Sequence, residues 1–441
     1  MQTKLGRKFW TAMLVFGLMG QVAWVVENMY FNVFIYKMFR ASASDISLMV
    51  QASAVAATLT TIFIGALSDR LGKRKIFMCA GYIAWGISIL SFAFIRADVI
   101  GGLFGAAASA ASVGISLVII LDCVMTFFGS TANDAAFNAW LTDSTTPENR
   151  GAAEGINAMM PLIAILAVFG GFMGFDLDRA ESWTTIYIVI GVLVLLIGIA
   201  GFFLVREAPA KAPDELGYLA TIVYGFRPAV VKRHKALYSS MLAFAVFNIA
   251  IQIFMPYLII YYEKSLGMSD YVLIMAPAII LAAAVTAFYG RLVDKKGFEK
   301  TVFGPLYMLA LGFILLWLFP ARIRTEGLAM KLPVFIGSLL MMSGYLSGMA
   351  VFGARLRNET PAGMAGRFQG LRILSQVLVP GLIGPAIGAA VLRGAATITN
   401  DDGTTSFLPN AKIFMAALAV VFLLIALLSF QEGLRLRKGD E

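Results

Sequence analysis

Histidine and cysteine are almost missing from this chain, with one histidine and two cysteines in 441 residues. That scarcity excludes a disulfide framework and a His/Cys metal cluster. It also leaves little from which to assemble a nucleophile–base pair, so a membrane-embedded enzyme is not expected, nor is any cofactor or metal. His234 stands in the basic run Lys232-Arg233-His234-Lys235 and reads as a loop contact with headgroups or water, while Cys79 and Cys123 sit inside apolar runs. Charge is scarce as well: 14% of residues are charged, against roughly 25% in soluble domains. Apolar residues fill the gap, at 59% with a mean hydropathy of +0.82. They come in runs of about 20, the length at which a helix crosses a hydrocarbon core. The chain is therefore an all-α, polytopic membrane protein whose first partner is the lipid bilayer. The net charge of +9 is spread over short loops, where it orients spans rather than binding nucleic acid.

Twelve spans are expected, as two pseudo-symmetric six-helix bundles. Lys4, Arg7 and Lys8 precede an apolar run that continues to about Met38 with no small-residue cleavage site, so it reads as an uncleaved first span rather than a signal peptide. The apolar pattern breaks once at length, between about 206 and 236, where Pro209, Pro213, Pro228 and the basic run at Lys232 fall. The expected organisation is an N-terminal bundle over 1–205, a linker loop over 206–236 and a C-terminal bundle over 237–441. Most of the 35 Lys and Arg fall on the side that holds both termini and this loop. The positive-inside rule puts that side in the cytoplasm, and a bacterial inner membrane and a monomer are expected. The 96–112 region, rich in Gly and Ala, leaves open whether it extends span three, opens span four or forms a loop. The stretch from Arg393 to Lys412 reads as an external surface loop without chemistry.

A short basic loop is used twice. Gly65, Leu67, Asp69 and Gly72 recur at one constant offset as Gly290, Leu292, Asp294 and Gly297, each set at the junction of two apolar segments. A second echo joins Phe137-Asn-Ala139-Trp-Leu141 to Phe352-Gly-Ala354-Arg-Leu356, with Gly151 and Gly155 matched by Gly366 and Gly370. Repetition at half-chain distance is how many secondary transporters are built. Charges this concentrated must lie in water between spans. Gly65, Asp69, Arg70, Gly72, Arg150 and Asp294 are the candidates for a cytoplasmic gate, in which helix-end acids pair with cations of neighbouring helices.

Ionisable groups inside spans carry the chemistry, because burying them is costly. Glu27 lies in span one, and Asp122 and Asp134 in span four. Ser130, Thr131, Asp134 and Asn138 fall within four residues of the acid along one helix face, an oxygen stripe suited to a proton or a small hard cation. At 3.6 residues per turn Asp122 is roughly 120° away from Asp134, so the two acids should not share a face. Glu27, Asp122, Thr131 and Asp134 are thus the candidate cation-coupling residues. In span one, Gln21, Asn28, Asn32 and Tyr36 form a polar stripe flanked by Trp24; it lines either a wet cavity or an interhelical hydrogen-bond seam. A cavity between halves would also draw on Asn138, Asn248, Gln252, Tyr345, Arg372 and Gln376. Arg372 could bind an anionic solute, pair with a carboxylate or snorkel to the headgroups.

The stretch Gly65 to Lys75 resembles the helix 2–3 loop signature of the major facilitator superfamily. Thr131-Ala-Asn-Asp134-Ala-Ala-Phe137-Asn-Ala139, with Thr146-Pro147-Glu-Asn-Arg150, resembles the glycoside–pentoside–hexuronide cation symporters, the melibiose permease group. The resemblance implies the major facilitator fold and uptake of a sugar or glycoside driven by H⁺ or Na⁺, with Thr131 and Asp134 near the cation. Span two lacks the paired acids of that group and carries Ser53, Thr58, Thr60 and Thr61 instead, which favours a proton. The expected function is a proton- or sodium-coupled symporter of a small organic solute working by alternating access. The alternative is an efflux antiporter for drugs or amphiphiles, or a lysolipid-type carrier.

Overall fold

Ten stretches wind into helices long and apolar enough to cross a bilayer, and two shorter apolar helices complete the series. In chain order they are α1 (Arg7–Phe39), α2 (Ala43–Ser68), α3 (Arg74–Phe92), α4 (Ala111–Asp143), α5 (Met160–Phe172), α6 (Ala180–Leu204), α7 (Lys235–Ser265), α8 (Tyr271–Lys296), α9 (Phe303–Leu318), α10 (Lys331–Glu359), α11 (Gly370–Val391) and α12 (Lys412–Gln431). This computed structural model describes residues 5–104, 107–146, 153, 156–207, 220, 223–318, 328–361, 365–400 and 403–439. Each expected span coincides with one of these helices, and the protein is a multi-pass helical membrane protein.

Local chemistry sets the helix ends. Ser42 caps α2 reciprocally: its hydroxyl accepts from the Asp45 N–H at 3.2 Å, and the Asp45 carboxylate accepts from the Ser42 N–H at 2.8 Å. The helix begun by α2 ends at Gly72 (φ +62°), and α8 ends at Gly297 (φ +76°). Both glycines of the repeat therefore occupy backbone conformations that a Cβ would strain. That is a local reason for the glycine to recur at both places.

The chain divides into two compact units, Met1–Tyr224 and Gly225–Glu441. In the first, α1 packs on α5, α2 on α4 and α3 on α6; in the second, α7 packs on α11, α8 on α10 and α9 on α12. The same three pairings in the same order express the internal repeat in tertiary structure. Close approach is made by glycine. A Cβ at Gly86 of α3 would stand 2.5 Å from the Leu195 nitrogen and 2.7 Å from the Gly191 oxygen of α6. Gly312 of α9 meets α10 as tightly: a Cβ there would stand 2.5 Å from the Met341 nitrogen. Without a hydrophobic drive between helices in lipid, such small-residue seams supply the packing.

Two ambiguous stretches resolve. The 96–112 region begins with a separate short helix, Ala97–Phe104, and a new helix starting at Ala107 then runs into α4. The stretch after Arg393, expected as a plain loop, folds into an antiparallel hairpin of β1 (Thr397–Thr399) and β2 (Thr405–Phe407). It is fastened to α7: the Ser265 hydroxyl donates to the Pro409 carbonyl at 2.5 Å, and the Phe407 ring meets Tyr257 edge-on.

Candidate ion-coupling and solute site

Four of the long helices pass through a π-helical turn: Val26–Tyr30 in α1, Ser130–Phe137 in α4, Tyr261–Ser265 in α7 and Leu374–Leu378 in α11. Such turns displace the backbone ladder and recur at functional sites. Here they carry Glu27 and Asn28, then Ser130, Thr131 and Asp134, then Glu263, then Ser375 and Gln376.

In the first unit three helices meet at Glu27. Its Oε1 accepts from Ser53 Oγ of α2 at 2.9 Å and from Thr126 Oγ1 of α4 at 2.7 Å, and the two hydroxyls lie 2.8 Å apart. Glu27 is 6% exposed and Asp122 2%. Glu27 Oε2 and Asp122 Oδ1 are buried without a hydrogen-bond partner. One α-turn beyond Thr126, the Ser130 hydroxyl donates to Asp134 Oδ2 at 3.0 Å. Asp134 is half-buried. Glu27 lies within electrostatic reach of both Asp122 and Asp134. A π-turn rotates the chain less per residue than an α-turn, so the winding from Ser130 onward departs from the α-helical projection that set Asp122 and Asp134 apart. Thr131 is buried with its hydroxyl unpartnered, and Ser130, rather than Thr131, is the residue that touches Asp134.

Deeper in the same unit, Asn133 Nδ2 donates to the Tyr82 hydroxyl at 2.9 Å, and that hydroxyl donates to the Phe16 carbonyl at 2.6 Å. This chain ties α4 to α3 and α1. The polar stripe of α1 splits. Asn28 is exposed and Asn32 fully buried, each donating back to the carbonyl one turn earlier, at 2.8 Å. Gln21 and Trp24 are half-buried, Trp24 tilting against Trp85. Tyr36 is buried. Asn138 is exposed and donates to the Asp134 carbonyl at 3.2 Å.

In the second unit Asn248 is buried and donates to the Phe244 carbonyl at 2.8 Å. Gln252 packs so closely on α11 that a Cβ at Gly384 would meet its Cβ at 2.4 Å. Tyr345 and Gln376 are half-buried, and Arg372 is exposed, its carbonyl accepting from the Ser375 hydroxyl at 2.9 Å.

At the proposed gate, Gly65 faces Ala135 of α4, while Arg70 and Asp294 are exposed. Arg150 lies outside the described residues, as does the side chain of Asp69. The buried charge pair at this end involves other residues. Arg74 at the start of α3 binds Asp143 at the end of α4 through Nε at 3.1 Å, and its Nη1 donates to Ser68 Oγ at 2.6 Å. In the second unit the polarity is reversed. The residue at Arg74's repeat position is Glu299, and it pairs at 3.4 Å with Arg355 of α10. Arg355 also holds Glu359 at 2.9 Å and Ser240 Oγ at 2.7 Å, and its guanidinium lies 4.2 Å over the Phe298 ring. Sequence reasoning missed Arg74, Asp143, Glu299 and Arg355. All four lie in or beside the two repeated stretches, which was the available signal; Arg355 stands at the repeat position of Trp140 and not of Asp143, so the two pairs do not correspond residue for residue. Thr126 was missed too, although it stands four residues from both Asp122 and Ser130.

The profile of the Major Facilitator Superfamily matches residues 9–385. No curated protein matches the chain in sequence. Among solved structures, a variant of the nucleoside transporter NupG superposes with a TM-score of 0.69 at 11% identity, covering 95% of this chain and 99% of that one. A D-xylose–proton symporter gives a TM-score of 0.70 at 13% identity, over 95% and 97%. The xylose transporter XylE from E. coli, in a partially occluded inward-open conformation, gives 0.66 at 14%, over 95% and 98%. At these identities the likeness is one of fold.

Proposed function

Since the chain belongs to the Major Facilitator Superfamily, whose profile spans residues 9–385, we propose that this membrane transporter of small molecules is a proton-coupled symporter of a polar organic solute. Asp134 is the coupling acid. The observation that carries the reading is the half-buried Asp134 carboxylate in the π-turn of α4, bonded to the Ser130 hydroxyl at 3.0 Å. A carboxyl in such a place changes charge by taking a proton, and that charge biases which conformation is stable. Thr131 lies at the same turn and completes the ion site. Sodium is the less favoured ion, because α2 offers Ser53 and Thr58 where the melibiose permease group carries acids.

The solute class is sugar-like, by the resemblance to that group and by two fold neighbours, a D-xylose–proton symporter and a nucleoside transporter. Alternating access follows from the paired six-helix units. The candidate solute contacts are Gln21, Trp24, Asn28, Asn32 and Asn138 of the first unit and Asn248, Gln252, Tyr345, Arg372 and Gln376 of the second. Both termini are cytoplasmic, in a bacterial inner membrane, and the transporter acts as a monomer.

The test is solute-driven proton entry into proteoliposomes, read by an enclosed pH dye with D-xylose and uridine as probes. Acidification on adding either probe, lost in Asp134→Asn while unlabelled-for-labelled exchange persists, is the expected result. Driven uptake by Asp134→Asn equal to that of the parent protein removes Asp134 from the coupling role, and a strict requirement for Na⁺ replaces the proton.

A further inference from the structure

We propose that Glu27, closed into a ring with Ser53 and Thr126 and facing Asp122, is a second proton-binding site of the first unit and holds its proton in this conformation. The ring has three edges: Glu27 Oε1 to Ser53 Oγ at 2.9 Å, Glu27 Oε1 to Thr126 Oγ1 at 2.7 Å, and Ser53 Oγ to Thr126 Oγ1 at 2.8 Å. All three are hydrogen-bond lengths, and each needs one hydrogen. The two hydroxyls bring one hydrogen each, and an ionised carboxylate brings none. With both hydroxyls donating to the carboxylate, the Ser53–Thr126 edge would be two oxygens in contact with nothing between them. A proton on Glu27 supplies the third hydrogen. Glu27 then donates to one hydroxyl, that hydroxyl donates to the other, and the second donates back.

The surroundings point the same way. Glu27 Oε2 and Asp122 Oδ1 are buried and unpartnered. Ser53 is the common neighbour of Glu27 and Asp122. The groups facing the site are Asp122 and Asp134 from α4, with the buried Tyr187 hydroxyl of α6 and Cys123 beside Asp122. No ion pair involving Glu27 or Asp122 is found among the described residues. Two ionised carboxylates in this interior would repel without compensation, and a single proton on the pair removes one charge.

The ring joins α1, α2 and α4. When Glu27 gives up its proton, to Asp122 or to water, two hydrogens remain for three edges and one edge must open. Deprotonation therefore loosens the seam between helices, converting a change of charge into a change of helix spacing. This deepens the coupling reading and rests on it for the proton's use, but its test needs no solute and does not depend on Asp134.

The experiment is infrared spectroscopy of the purified full-length protein in detergent at neutral pH, with and without Na⁺. A protonated-carboxyl C=O band is expected, lost in Glu27→Gln, retained in Asp134→Asn and shifted in Ser53→Ala, which keeps the acid but opens the ring. Gln presents both an acceptor and a donor, so Glu27→Gln should melt close to the parent protein, whereas Glu27→Ala should melt lower. No such band in the parent protein, a band untouched by Glu27→Gln, a band removed by Asp122→Asn alone, or a band abolished by Na⁺ would each overturn the proposal.

Discussion

The buried pair of Arg74 and Asp143 makes the sharpest stability prediction. Their side chains are 9% and 7% exposed, the Nε–Oδ2 distance is 3.1 Å, and Arg74 also reaches Ser68 Oγ at 2.6 Å. Replacing Asp143 by Ala leaves the guanidinium charge buried and short of its carboxylate, which costs about 3–5 kcal/mol. For a unit of this size each kcal/mol moves the melting point by about 2–4 °C, so the loss is roughly 6–20 °C. Arg74→Met removes the other partner and its bond to Asp143, and should lower the melting point as well. The double variant Arg74→Met/Asp143→Leu removes both charges and should recover most of the loss, because an apolar replacement of a whole buried pair is nearly neutral. The assay is a heating series in detergent read by size-exclusion of the surviving monodisperse protein, compared at one fixed heating time because such unfolding is rate-governed. The double-mutant cycle isolates the coupling. Single variants that melt with the parent protein, or a double variant whose loss equals the sum of the singles, would refute the reasoning.

Other expectations follow from neighbouring geometry. Gly86→Leu forces side-chain atoms into the Leu195 and Gly191 backbone of α6, and the overpacking should cost at least about 1–3 kcal/mol, read as a lower melting point. Arg355→Ala should also destabilise, and Arg355→Lys should restore only part of the loss, because one ammonium cannot serve Glu359, Ser240 and the Phe298 face together. Outside the spans, the Arg96 hydrogen bond and charge hold the Asp98 carboxyl below its ordinary range. A lowered carboxyl favours the folded turn above its unfolded value of about 3.9 and loses that contribution as pH falls through the folded value. Carbon NMR of labelled aspartate should show Asp98 titrating late in acid, and Arg96→Ala should return it to the ordinary range. An unchanged Asp98 titration in that variant would contradict the assignment. High salt should weaken the pair, whose Asp98 end is exposed.

The α-helical class, the number of spans and the doubling were written in composition and in two repeats. Apolar run length and charge placement are local properties that any fold of this chain must obey. Glycine at 72 and 297 recurs for a backbone reason confined to a few residues. The candidate acids were legible for a similar reason: a carboxyl inside an apolar run stands out wherever it ends up. Their grouping was not legible. The bonds that tie Glu27 to Ser53 and Thr126 join three helices, and the π-turn at Ser130–Phe137 departs from the α-helical winding that a projection of the sequence assumes. The Arg74–Asp143 and Glu299–Arg355 pairs were likewise hidden, because hydrogen-bond reach across helices depends on crossing geometry and not on spacing along the chain. Sequence by itself determined that twelve greasy helices come in two matched sets with few buried charges. Tertiary structure decided which of those charges meet, because a proton or an ion pair is held by atoms about 3 Å apart that the chain brings together from helices many residues distant.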